Sequence, residues 1–203
     1  MPRGDRSTAT RDELLAAAAR VFVMRGYHGA TVREIVGEAG FTNPALYYHF
    51  EGKAQLYSDL VKSGLARFRE LVEQAIGQHA AAIPRLEAII AAYLRFGRED
   101  SLRLRFLYGE IFRPREAEAP RLGLEEFRSW LHTRIEEVLR EGIAKRELAI
   151  ADVAEARQLF LALLSGLLLE QAREPELPIL DEARPNAVLN ALLNGVAKRK
   201  EIT

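Results

Sequence analysis

Apolar side chains recur along this chain at intervals of three and four and nowhere alternate for any length, so the pattern is helical throughout. Leu14, Leu15, Ala18, Val21 and Phe22 form one stripe. Its helix is expected to start at Thr10, where Thr10-x-x-Glu13 is a capping box, and to stop at Gly26. Residues 1–9 are small and polar and read as a mobile terminus. Leu56, Leu60, Gly64, Phe68 and Val72 fall close to every fourth position and predict one long helix over 53–79. Pro84 opens a helix through Arg98, and Ser101 caps a short one through Phe112. Residues 113–120, with two Pro and alternating charges, read as an exposed loop. Long helices follow, one to Arg146 and one over 152–173; Pro175 and Pro178 then break the chain before a last helix over 182–198. No strand and no internal repeat is predicted, and the fold class is all-α.

Between the first helix and the long one lies a tighter pattern. Thr31-x-x-Glu34 is a capping box that opens a short helix, and Gly40 supplies the left-handed stop. Asn43 sits at the expected cap of the next helix, with Pro44 at its first helical position, where a missing N–H costs nothing. Two helices joined through so short a corner make a helix-turn-helix. Leu46 and Phe50, four apart, can anchor the second helix, which leaves Asn43, Tyr47, Tyr48 and His49 facing outward. Lys53 stands in the first turn of the long helix, where a cation opposes the helix dipole and needs a reason; a bound phosphate is one.

Composition narrows the classes. The 203 residues suffice for one large or two small domains. Cysteine is absent, which removes disulfide and thiolate–metal chemistry and fits a reducing cytoplasm. No apolar stretch follows the basic start, so no signal peptide is expected, and the longest apolar run, 159–169, is too short to span a bilayer. The formal net charge is zero, which excludes coating of nucleic acid by bulk electrostatics but not a site-specific reader. Residues 1–53 hold seven Lys/Arg against six Asp/Glu. The four His are scattered without metal-ligand spacing, and there is no nucleophile elbow or phosphate-binding Gly loop, so neither enzyme nor cofactor is expected.

The string Thr-x-x-x-Ile-x-x-x-Ala-Gly, followed by Leu-Tyr-Tyr-His-Phe-x-x-Lys, resembles the DNA-binding domain of the tetracycline-repressor (TetR/AcrR-like) family of bacterial regulators over residues 11–60. The resemblance implies a helix-turn-helix domain over 1–52 and a helical effector-binding and dimerisation domain over 53–203. It also implies that Thr42, Tyr47, Tyr48, His49 and Lys53 contact phosphate or sugar, and that Asn43, Pro44 and Ala45 face base edges. Arg33 stands on the preceding helix, where some members place a base-reading side chain, and Thr31 is counted with these residues. The implied function is a homodimeric regulator, a repressor released from a palindromic operator in double-stranded DNA by a small-molecule effector.

The helix over 152–173 carries leucines around its whole circumference and needs cover on every side. A second copy of the chain is the simplest cover, with Phe160, Leu164, Leu167, Leu168, Leu189, Leu192 and Leu193 as expected dimer residues. Ala162, Ser165 and Gly166 would permit close helix approach. Phe68, Tyr93, Phe96, Phe106, Tyr108, Phe112 and Trp130 read first as core, and the resemblance makes them candidate walls of an effector pocket. Two other readings stay open: a helical ligand-binding protein, and a regulator that answers to a protein partner.

Overall fold

The structure, a computed structural model, describes residues 3–111, 123–173 and 184–194. Among them are helices and turns and no strand. The first helix, α1 (Arg3–Gly29), starts well before Thr10. Thr10-x-x-Glu13 therefore lies inside a helix and is not a cap: nothing in Arg6-Ser7-Thr8-Ala9 breaks a helix, so the turns propagate back through them. The expected stop at Gly26 is real, because that residue takes φ 68°, ψ 174° and kinks α1 there.

Next come α2 (Val32–Ala39), α3 (Asn43–His49), α4 (Lys53–Gly77) and α5 (Ala82–Glu99). They are followed by α6 (Ser101–Ile111), α7 (Leu124–Ala144), α8 (Val153–Arg173) and α9 (Arg184–Asn194). Asp152 caps α8 by accepting the Ala154 and Glu155 N–H groups at 2.8 and 3.0 Å. The cap of α5 comes from far along the chain: the Glu147 carboxylate accepts the Ala82 N–H at 2.6 Å. The expected loop at 113–120, Phe112, and the ends of the predicted last helix lie outside the described residues.

Contacts divide the chain into two compact units. The first comprises Met1–Arg67 and Leu102–Leu124. Its core joins the α1 stripe to Ile35 and Val36 of α2, Leu46 of α3, Leu56 and Leu60 of α4, and Phe106 of α6. The Tyr57 ring meets Phe22 and Phe106 edge-on, each at 5.3 Å. Helices α4 and α6 cross closely at Gly64, where a Cβ would stand 2.9 Å from Leu107 Cδ1.

The second unit comprises Phe68–Ser101 and Glu125–Thr203. In it α5 packs on α8 and α9. Its core holds Leu86, Ile89, Ile90 and Leu94 of α5, Ile135 and Val138 of α7, Phe160 and Leu164 of α8, and Leu189 of α9. Phe68 stacks with Phe96 at 4.9 Å and with Phe127 at 5.5 Å, and meets Tyr93 edge-on at 4.3 Å. Burial pushes the Tyr93 hydroxyl well above its ordinary value. No helix among the described residues is long and apolar enough to cross a membrane.

Candidate nucleic-acid interface

The capping box at Thr31 forms completely. The Thr31 hydroxyl and N–H donate to the Glu34 carboxylate at 2.8 and 3.0 Å, and the Glu34 N–H donates back to the hydroxyl at 3.2 Å. These bonds, the hydroxyl's first, hold the Glu34 carboxyl below its usual range, with the Arg25 charge adding to them. Thr31 thus orients α2. At the other end Gly40 takes φ 70° and its N–H returns to the Val36 and Gly37 carbonyls.

Helix α3 follows at once, one residue out of the expected register at its start. Thr42, extended at φ −110° and ψ 158°, is the cap, and Asn43 is already helical. Thr42 makes no side-chain cap bond, and neither its hydroxyl nor the exposed Asn43 amide has a hydrogen-bond partner among the described residues. Leu46 and Phe50 are buried at 0% and 2% exposure and pin α3 to the core. Burying Leu46 is worth about 2 kcal/mol or more relative to leaving it in water. The opposite face presents Thr42, Asn43 and Pro44, with Tyr47 at 56% and Tyr48 at 79% exposure; Ala45 and His49 are half-buried. Two buried anchors thus hold two tyrosines out in solvent.

The charges of the first unit sort themselves by pairing. Arg20 meets Glu38 at 2.6 Å, and Arg11 meets Asp59 at 2.7 Å while lying over the Phe50 ring. Arg25 stands 3.9 Å from Glu34. Arg33 is exposed on α2 and has no ion-pair partner among the described residues. Pairing removes cations and carboxylates alike, so the balance of residues 1–53 stays near zero. No short-range sequence signal marks the Arg20–Glu38 and Arg11–Asp59 pairs, which join residues 18 and 48 apart.

Lys53, expected to contact phosphate, is tied to backbone carbonyls within the first unit. Its ammonium donates to the carbonyls of Tyr27 at 2.8 Å, Ala30 at 2.9 Å and His28 at 3.5 Å, and sits 4.6 Å from the centre of the Tyr27 ring. Within the protein this cation satisfies carbonyls at and just past the end of α1.

The sequence model of the bacterial regulatory proteins of the tetR family matches residues 14–60, from α1 into α4. The transcriptional repressor BepR of Brucella suis is 32% identical over 175 residues, an alignment covering 79% of this chain and 79% of that protein. The chain belongs to the tetR family. Another relative, the transcriptional activator FasR of Mycolicibacterium smegmatis, is 36% identical over 108 residues, which are 53% of this chain. The chain spans about half of that relative, 48% of its length. Among solved structures, the regulator FadR of Bacillus subtilis in complex with stearoyl-CoA superposes with a TM-score of 0.74 at 25% identity, covering 91% of this chain and 98% of that one. KstR2 of Mycobacterium tuberculosis, at 23% identity, shares the fold with a TM-score of 0.76 over 93% of this chain and 95% of that one.

In this tetR-family chain most of the residues expected at a dimer interface lie in the core of the second unit. Phe160, Leu164, Leu167, Leu168 and Leu189 are buried within the single chain, and Leu192 and Leu193 are half-buried. Side chains already removed from water have little left to gain from a partner. The face of α8 that stays open carries Leu159 at 53% and Leu169 at 41% exposure, with Ala162, Ser165 and Gly166 between them. Those small residues were the usable signal.

The aromatic residues also divide. Phe68, Tyr93 and Phe96 pack ring on ring in the second unit. Trp130 is half-buried there, its indole N–H donating to Glu73 at 3.2 Å. Phe106 and Tyr108 belong to the first unit, because α6 packs Phe106 onto Phe22 and Tyr57. Cavities of about 540, 390 and 390 Å³ among the described residues of the second unit are lined by none of the six expected aromatics that are described.

Proposed function

We propose that the protein is a homodimeric, cytoplasmic, sequence-specific DNA-binding regulator, a repressor released from a palindromic operator by a small-molecule effector. The observation that carries this reading is α3, whose exposed Tyr47 and Tyr48 stand opposite the buried anchors Leu46 and Phe50. Set in a major groove, the free Asn43 amide pairs with the N6 and N7 edge of adenine, and Pro44 and Ala45 meet a thymine methyl. Thr42, Tyr47, Tyr48 and His49 hold phosphates and set the register, with Arg33 adding an uncommitted charge from α2. Residues 1–52 form the DNA-facing domain and 53–203 the effector-binding and dimerisation domain. No catalytic step is assigned.

Dimerisation uses the open face of α8, where Leu159 and Leu169 gain cover and Ala162 and Gly166 allow close approach. Two-fold symmetry in the protein then demands two-fold symmetry in the DNA site. The stearoyl-CoA bound by FadR supports a partly apolar effector, with Phe68, Tyr93, Phe96 and Trp130 as the aromatic groups it would meet. An effector that favours a state with the start of α4 tilted changes the spacing of the two copies of α3. A coupling of about 1–3 kcal/mol weakens DNA binding roughly 5–150-fold.

The test is selection of duplexes from a random pool by the purified protein, followed by titration against salt. Enrichment of one palindrome with steeply salt-dependent affinity is expected. Weak binding indifferent to sequence contradicts the reading.

A further inference from the structure

We infer that the Tyr93 hydroxyl of α5 and the Gln171 amide oxygen of α8 are the two groups that recognise the polar end of the effector, and that this end is uncharged and carries an O–H or N–H. The assignment rests on the small-molecule effector reading and gives that molecule its chemistry. Tyr93 is 5% exposed and Gln171 2%. The Gln171 amide nitrogen donates to the Leu94 carbonyl at 3.3 Å, but its amide oxygen is buried without a hydrogen-bond partner. The Tyr93 hydroxyl has no hydrogen-bond partner among the described residues either, and burial raises its pKa unopposed. Buried polar groups are nearly all paired, because one left alone has given up water for nothing. Two such groups on one packed pair of helices call for a partner from outside the chain.

The two groups share one flank of α5. Phe68 of α4 meets Tyr93 and Phe96, whereas Gln171 meets Leu94 and Gly97. At about 3.6 residues per turn, Tyr93 falls between Phe96 and Gly97 around the helix, so its ring stands between the aromatic seat of Phe68 and the amide of Gln171. A molecule whose apolar body lies along the rings and whose polar end points to Gln171 uses both groups. The amide oxygen can only accept, so that end must donate; the Tyr93 hydroxyl donates or accepts and completes the pairing. A carboxylate has no proton for the Gln171 oxygen, and no charged side chain bears on the Tyr93 hydroxyl to replace the hydration it would lose. An ammonium could donate, but it too would shed its hydration with no anion beside it.

The first arm uses no ligand. Tyr93→Phe keeps the ring and removes only the hydroxyl, so the melting temperature of the full chain is expected to stay level or rise. A fall of about 2 °C or more shows that the hydroxyl already has a partner inside the protein and overturns the inference. The second arm titrates octanol, octanamide, octyl methyl ether and octanoate into the full chain by calorimetry. Emission of Trp130, the only tryptophan, is the second readout, because its ring reaches Tyr93 through Phe127 and Phe68. Octanol or octanamide is expected to bind about fivefold or more tighter than the ether, which has the same body and no donor, and tighter than octanoate. Whichever of the two binds tighter tells an alcohol from an amide. Tyr93→Phe and Gln171→Met should each weaken that binding by about fivefold while leaving the ether unchanged. Equal binding of donor and ether, a preference for octanoate, no binding by any of the four, or variants that bind like the wild type overturn the inference. Should Gln171→Met not fold, Tyr93→Phe decides alone. A last titration adds the preferred probe to a duplex already selected by the protein. Preferred binding without release of the duplex supports the two recognition groups and removes the release reading by itself.

Discussion

Gln171 of α8 lies flat against Gly97 of α5, so closely that a Cβ on Gly97 would stand 2.1 Å from the amide oxygen. Gln171 is only 2% exposed, and its amide donates to the Leu94 carbonyl at 3.3 Å. Gly97→Ala forces this buried amide aside. A loss of about 1–3 kcal/mol is expected from such overpacking, read from urea unfolding. Adding Gln171→Ala should recover part of that loss; purely additive losses would mean the two residues do not meet.

Tyr48, at 79% exposure, contributes almost nothing to the core. Tyr48→Ala should therefore leave the unfolding midpoint within error while weakening binding to the selected duplex by about tenfold, the worth of one lost hydrogen bond to a charged group. Leu46→Ala, two positions earlier and fully buried, should do the reverse first, costing about 2–5 kcal/mol of stability.

The two faces of α8 give opposite outcomes. Leu169→Glu and Leu159→Glu place charges on the open face and should yield folded monomers by light scattering. Leu164→Ala empties a fully buried site and should lower stability by about 2–5 kcal/mol with the dimer still formed at high concentration. A wild-type monomer at all concentrations would remove the dimer altogether.

The Glu34 carboxyl is held below its ordinary value of 4.5, so the folded state binds its proton less readily than the unfolded chain. Stability from this source is present above the unfolded value and is lost as pH falls through the folded one. Thr31→Ala removes the leading cause. Its melting temperature should fall below that of the wild type at neutral pH, and the gap should narrow in acid. A gap independent of pH would show that Glu34 is not the partner that matters.

Arg146 takes the left-handed conformation at φ 59°, where the Glu147 and Leu148 N–H groups return to the Gly142 carbonyl and end α7. A side chain there costs about 1 kcal/mol that glycine avoids. Arg146→Gly should stabilise the chain by about 0.5–1 kcal/mol in thermal unfolding.

Periodicity and local chemistry along the chain were enough to determine that it is all helical, where α2 begins and ends, and which face of α3 is anchored. Those properties depend on residues three or four apart, as between Thr31 and Glu34 or between Leu46 and Phe50. Even there the start of α1 and the cap of α3 slipped, because a capping spacing inside a helix looks the same as one at its end. What tertiary structure alone decided concerns partners far apart in sequence. It gave the Lys53 ammonium its three carbonyls, placed Phe106 beside Phe22 and Tyr57, and turned Phe160 and Leu164 inward while leaving Leu159 and Leu169 outside. A helix apolar on every side announces that it needs cover, but which side its own chain covers is set by the neighbours it packs against, and no local pattern encodes them.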